Sequence, residues 1–264
     1  MLTEVKNQFR VTALSIKYAL EREMLNKVTF ITNIIFMILN NASFIIQWII
    51  IYSIKDSVGG YTFKQVLLLW GMAALTYGIS RFFFKDAFGL SSIINSGRLD
   101  NYLVQPKNVL IQTITGSVSV SALGDILYGY IMLFIFGINF KNLILLTICG
   151  ILGALLIVSV SVIFSSLAFW FGKTDTVTDT VNSLMTNFAT YPEGIFKGII
   201  KVMFYTVIPL GLTAYLPVQL ISNFNIIYLL YIFIGTIIFI TLAFYIFYKG
   251  LNKYSSTNLM NSRV

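Results

Sequence analysis

Histidine is absent from all 264 residues. That absence removes Ser-His-Asp and Cys-His nucleophile pairs, His-rich zinc sites and the HExxH metalloprotease helix, each of which needs an imidazole as base or ligand. Cysteine occurs once, at Cys149 within an apolar run, so no intrachain disulfide can form and the thiol reads as a small packing group. Charge is scarce too. Only 11% of residues are charged, against roughly a quarter in a soluble domain. What fills the chain instead is apolar: 57% hydrophobic residues, 16% of the chain aromatic. This is the composition of an integral membrane protein. Basic residues outnumber acidic ones by 18 to 10, but they scatter at the ends of apolar runs instead of forming a basic face. Nucleic acid is thereby excluded as a partner, and membrane lipid is the expected surrounding.

A helix needs about 20 mostly apolar residues to cross the hydrocarbon core. Five runs meet that length: Val28 to Ile54, Phe63 to Phe84, Val109 to Phe136, Leu143 to Phe171 and Ile226 to Tyr248. Residues 1–27 are too charged for a signal-peptide core and are expected to be retained. Val5, Phe9, Ala13, Ile16 and Leu20 recur there at helical spacing, with Lys6, Arg10, Lys17, Glu21 and Arg22 mostly elsewhere on the wheel, as in a helix lying at the interface or a solvated one.

Residues 174–222 contain three of the four prolines. From Asp175 the pattern has two faces. Asp175, Asp179, Asn182, Ser183, Thr186, Asn187 and Thr190 lie on one, and Val177, Val181, Leu184, Met185 and Phe188 on the other. Such a helix crosses beside protein or water, or lies on the surface. Two topologies follow. In the preferred one this helix crosses, Tyr191 and Pro192 end it outside, and 195–221, broken at Pro209 and Pro217, dips in from the outer face and returns. In the other, Val202 to Leu220 is the fifth crossing and 174–200 stays cytosolic. Both give six crossings. With the N-terminus inside, 13 of the 18 basic residues face the cytosol, so both termini are expected there.

Three places could carry function. Asp125 is a carboxylate deep in an apolar run, and it shares four-residue spacing with Thr113, Ser117 and Ser121. That seam is expected to bond a neighbouring helix or to line a passage, with Asp179, Asn182 and Thr186 as further lining. Gly172-Lys173-Thr174 ends like a P-loop, but position 167 is Leu where the motif needs Gly, so no nucleotide site is read there. Gly150, Gly153 and Ala154 read as close-packing positions. The third place is residues 91–106. Ser91 is expected to cap a short helix carrying Ile93 and Ile94, Gly97 to end it, and Pro106 to stop the chain before the next run. Arg98 and Asp100 then suit a groove on a soluble partner. No metal site and no catalytic residue is read anywhere.

Residues 93–106, I-I-N-S-G-R-L-D-N-Y-L-V-Q-P, resemble the S-G-x-L-D-x-Y-L-x-x-P signature of bacterial type-2 ABC exporter permeases. Tyr191-Pro192, Val207-Ile208-Pro209 and Tyr215-Leu216-Pro217 resemble that family's second signature. The resemblance implies an all-α membrane domain over 1–264, with an interfacial helix at 1–27, a coupling helix at 91–104, a re-entrant hairpin at 195–221 and six crossings. It implies a homodimer or heterodimer with a second permease, in the bacterial plasma membrane. It further implies separate cytosolic ATPase subunits, which hold the ATP and Mg and leave this chain without catalysis. Ile93, Ile94, Ser96, Gly97, Arg98, Leu99, Asp100, Tyr102 and Leu103 would form the coupling element. The expected cargo is a hydrophobic or amphipathic drug, antimicrobial peptide or lipid. A proton-coupled secondary transporter using Asp125 is the alternative.

Overall fold

The structure is a computed structural model that describes residues 2–137 and 139–255, with the tail beyond residue 255 outside it. Its elements are α1 (Leu2–Glu23), α2 (Lys27–Tyr52), α3 (Phe63–Phe83), α4 (Leu90–Asn95), α5 (Asp100–Leu103), α6 (Val109–Ile114), α7 (Ala122–Gly137), α8 (Phe140–Ser166), α9 (Ala168–Phe171), α10 (Asp175–Phe188), α11 (Ile199–Thr206), α12 (Leu216–Ser222) and α13 (Ile226–Leu251). The described residues are all-α apart from one isolated bridge, Val58 to Tyr61. Helix starts are written in asparagine. Asn26, Asn108, Asn139 and Asn225 each accept a backbone N–H from the first turn of α2, α6, α8 and α13, satisfying donors that no helix can satisfy internally. Among the described residues, four helices are long and apolar enough to cross a membrane: α2, α3, α8 running on into α9, and α13; the bent pair from α11 to α12 makes a fifth if it is one span.

At the centre stands α3, with α7 and α8 packed on it. Glycines set the spacing. A Cβ on Gly71 would stand 2.6 Å from the Met132 Cβ, one on Gly129 2.6 Å from the Leu75 Cβ and 2.8 Å from the Gly71 carbonyl, and one on Gly78 2.8 Å from the Ile126 nitrogen. Backbones this close gain dispersion contacts that compensate for the missing hydrophobic drive between helices in lipid. Gly150 and Gly153 fill the same role in α8, against Leu75 and Thr76, as the sequence suggests.

The third apolar run, expected as one helix, is two. After Ile114 the chain leaves helical geometry and resumes it only at Ala122. Gly116 and the serines at 117, 119 and 121 are poor helix interiors, because their hydroxyls offer the backbone and neighbours other partners. The Ser117 hydroxyl donates to Asp86 Oδ1 at 2.6 Å, and Ser119 and Ser121 pair at 3.1 Å. The four-residue seam is therefore split, and Asp125 lies in the first turn of α7 rather than mid-helix. Ser91 also differs from expectation: it lies inside α4, whose N-cap is Gly89 with no side-chain cap bond.

Helix α10 runs beside α8. Its start is tied to α4, where the Thr174 N–H and hydroxyl reach Ser91 Oγ at 3.3 and 3.1 Å. Past its end, Tyr191 packs edge-on against Trp48 at 5.8 Å, and Gly194 fits against Gly59 of the α2–α3 loop so closely that a Cβ there would meet the Gly59 carbonyl. It thus extends from the α4 end of the bundle to the α2–α3 loop end. The next segment, α11 and then Gly211–Ser222, bends by 73°. It leaves from beside Gly59, and the Phe224 ring that follows it lies 3.3 Å from Lys141 Nζ at the start of α8. Both ends of the bent pair lie at the same end of the bundle.

Glu193 locks this arrangement. Its buried carboxylate accepts from Tyr205 Oη at 2.9 Å, Gln219 Nε2 at 3.1 Å and Lys201 Nζ at 2.9 Å, so the exit of α10 holds both arms of the bend. Gly211 leaves room for the Tyr205 ring between the arms. Burial pushes the neighbouring Tyr61 phenol up to about 12, so it keeps its proton. Glu193→Ala strands three donors and should cost about 2 kcal/mol, read as a lower melting temperature in detergent. Glu193→Gln, which keeps an acceptor, should lose less.

Candidate functional site

Between α2, α3, α7 and α10 lies a cavity of about 740 Å³. One wall is aromatic: Phe44 stacks on Trp70 at 5.4 Å, and Trp48 meets Tyr191 edge-on. Polar groups are interleaved with these rings: Asn40, Asn41 and Gln47 of α2, Asn187 and Thr190 about α10, and Asp125. Asp125 is 8% exposed. Its Oδ1 accepts from Asn41 Nδ2 at 2.6 Å, and Asn41 also donates to the Met37 carbonyl within α2. Helix α2 comes close enough for this because Gly124 leaves room for the Ile34 carbonyl and Met37. Arg81 borders the cavity without forming an ion pair with Asp125; its guanidinium lies over Phe88 at 4.7 Å and Tyr77 at 5.0 Å and donates to Tyr77 Oη.

Of the residues expected to line a passage, Ser121, Asp125 and Thr186 do border this cavity. Ser117 does not, being bound to Asp86 in the break between α6 and α7. Asn182 is buried against α8, where it accepts from Ser161 at 2.7 Å, and Asp179 is exposed and not part of the cavity lining. The amides of α2 were not read from the sequence, although Asn40-Asn41 in the middle of an apolar run is the signal that polar glue or a polar site leaves. Thr213 and Ala214 reach the cavity from the π-turn at Gly211–Tyr215 after Pro209.

At the α4 end, residues 90–106 fold into a cap. Gly97 has φ +73° and ends α4, as its position suggests. The apolar residues point inward: Ile93, Ile94 and Leu99 are buried in a cluster with Leu110, Val158 and Phe247. The bundle takes these side chains because burying them yields more than presenting them to water. The exposed tip is instead Ser92, Ser96, Arg98, Asn101, Leu103 and Val104, with Val104 84% exposed. Asp100 and Tyr102 are half-buried. Tyr102 leans on the break, since a Cβ on Gly116 would stand 2.7 Å from its hydroxyl and 2.9 Å from Asp86 Oδ2. Burial, with the Asp86 carboxylate adding to it and Arg98 opposing, pushes the Tyr102 phenol above its usual value.

The cap reaches the cavity by two routes. Ser91 grips Thr174 at the start of α10, and α10 carries Thr186 and Asn187 to the cavity wall. Tyr102 and Asp86 hold the break, which leads through Ser121 to Asp125. A multi-pass helical bundle with a polar-lined cavity, joined through its own packing to a folded cap at one end, is a membrane transport subunit. The chain belongs to the ABC-2 transporter family: the family model described as ABC-2 family transporter protein matches residues 24–258. This family supplies the transmembrane component of an ABC transport system, not its ATPase, and associates with ABC ATPase subunits. No curated protein and no solved structure matched the chain.

Proposed function

We propose that this chain is the permease of an ATP-driven exporter in the bacterial plasma membrane, moving a hydrophobic or amphipathic substrate out of the cell. In this reading both termini are cytosolic, six segments cross, α10 among them, and 195–221 is a re-entrant hairpin entering from the outer face. A second permease, identical or related, completes a dimer. The cap at 91–104 docks on two separate ATPase subunits, which carry ATP and Mg, while α1 lies at the interface with Phe9, 76% exposed, toward lipid. The observation that supports this most is that the cap touches the start of α10, through Ser91 and Thr174, and the break before α7, through Tyr102 and Gly116, and both lead to the cavity wall.

When the ATPases close, the tip moves with them. Ser91 pulls Thr174 and the lower end of α10, while Tyr102 and Asp86 displace the 115–121 break. Both movements end at the cavity wall, which changes its side of access. Ser117→Ala tests the second route. A hydrogen bond to a carboxylate is worth about 1.5–3 kcal/mol, so transport per ATP hydrolysed should fall by about tenfold while ATPase capture stays intact, as measured in proteoliposomes.

The reading itself is tested by co-purifying the chain with the ATPase encoded beside it and assaying ATP-driven transport in vesicles. Capture and ATP-dependent transport are expected. Failure to bind any ATPase, with transport abolished by a protonophore, would replace it with the proton-coupled mechanism, which the buried position of Asp125 in the cavity favours as the second reading.

A further inference from the structure

We infer that the cavity selects a monocationic amphiphile, an ammonium group joined to a flat apolar body, with Asp125 as the residue that reads the charge. This inference rests on the cavity being the cargo chamber of the proposed permease, and it names the cargo class which that reading leaves open.

The argument starts from the carboxylate. A buried carboxylate is costly unless hydrogen bonds and an opposite charge compensate it. Asp125 has one such bond, from Asn41 to Oδ1. No protein group among the described residues hydrogen-bonds Oδ2, and no lysine or arginine lies within ion-pair distance. Arg81 is nearest in kind, but it is exposed and its guanidinium is engaged by Tyr77 and Phe88. A cargo ammonium supplies the missing donor and a charge in direct contact, where Arg81 acts on the carboxylate only at longer range.

The rest of the lining sets what that ammonium is attached to. Trp70 and Thr76 are among the lining residues, although the Trp70 indole N–H and the Thr76 hydroxyl are themselves buried in the packing around the cavity, Thr76 being 1% exposed. Beside them run the stacked rings of Phe44 and Trp70 and the Trp48–Tyr191 pair. A flat ring system uses these rings for contact area while its ammonium on Asp125 fixes the orientation, the usual division of labour in a ligand pocket. A volume of about 740 Å³ suits a drug-sized molecule and is too small for a folded peptide. The lining carries one acid, Asp125, and one base, Arg81, so it offers no excess positive charge to a polyanion.

Three dansyl probes share one aromatic body and differ in charge: dansylcadaverine with its primary ammonium, its N-acetyl derivative, and the dansyl derivative of 6-aminohexanoic acid. Binding to the full-length chain in nanodiscs is read from dansyl fluorescence. A desolvated charge pair should favour the amine over the acetylated probe by about tenfold or more, with the carboxylate weakest. Asp125→Asn, isosteric and able to keep the contact with Asn41, should equalise amine and neutral probes without losing the neutral one, and Asp125→Glu should retain the preference. Equal binding of amine and neutral probe to the unsubstituted protein overturns the inference with no variant needed, and so does a charge preference that survives Asp125→Asn. The two readings fail separately: charge selection without ATPase capture sinks the exporter, and ATP-driven transport without charge selection sinks this assignment.

Discussion

Leu103→Asp combined with Val104→Asp is expected to leave a folded, membrane-inserted permease that no longer captures its ATPase. Both residues are exposed, Val104 at 84% and Leu103 at 39%, at the end of α5. Neither belongs to the cluster that holds the cap to the bundle. Paired aspartates there add charge and desolvation cost to the centre of the proposed docking surface. Truncating a central anchor commonly costs about 2 kcal/mol or more, so affinity should fall by about 30-fold or more. The readout is co-purification and stimulated ATP hydrolysis, with melting temperature as the control. Arg98→Ala should weaken capture less, because its exposed side chain is held by a single hydrogen bond among the described residues, to Ser96 at 3.1 Å. Leu99→Ala should behave differently again. Leu99 is fully buried, and such truncations cost about 2–5 kcal/mol, so any loss of activity there arrives with a loss of folded protein. If the double aspartate variant binds the ATPase like the unsubstituted chain, the tip is not the docking surface.

Gly129→Leu should prevent assembly of the bundle. Even its Cβ would meet the Leu75 Cβ at 2.6 Å and the Gly71 carbonyl at 2.8 Å. The Leu75 side chain can turn, but the carbonyl is backbone and can move only if α3 and α7 separate. Overpacking costs about 1–3 kcal/mol where side chains can adjust, and here the expected cost exceeds that range. Gly89→Ala is the matching control. A Cβ there would have nothing within 4 Å, and φ is −112°, so it should express and melt like the unsubstituted chain. A Gly129→Leu protein with an unchanged melting temperature would mean that α3 and α7 do not cross as described.

Much of this molecule is legible in its sequence. The long apolar runs give α2, α3, α8 and α13, because hydrophobic length is a local property. Gly150 and Gly153 could be assigned to packing for the same reason, and Gly97 to a helix end. What escapes is decided between segments. The third run looks continuous because Val118 and Val120 keep it apolar, yet Ser117 is drawn to Asp86, 31 residues away, and the helix breaks. Ile93, Ile94 and Leu99 carry no mark in the sequence that says whether a partner or the bundle will take them. The cavity draws on α2, α3, α7 and α10 together, so only its polar interruptions, Asp125 and the Asn40-Asn41 pair, could announce it.

The break before α7 also affects the lipid around the protein. An apolar run of ample length delivers only 16 residues of helix, about 24 Å at 1.5 Å per residue, whereas the hydrocarbon core is about 30 Å thick. In the proposed six-crossing arrangement, where α7 is one of the crossings, the bilayer beside it thins, or polar groups enter its depth, to accommodate the difference. The shortfall falls at the Ser121 end, beside the cavity. An amphiphile residing in the adjoining leaflet would have its headgroup drawn inward at that point, and so would reach the carboxylate by a shorter path through oil than anywhere else on the perimeter.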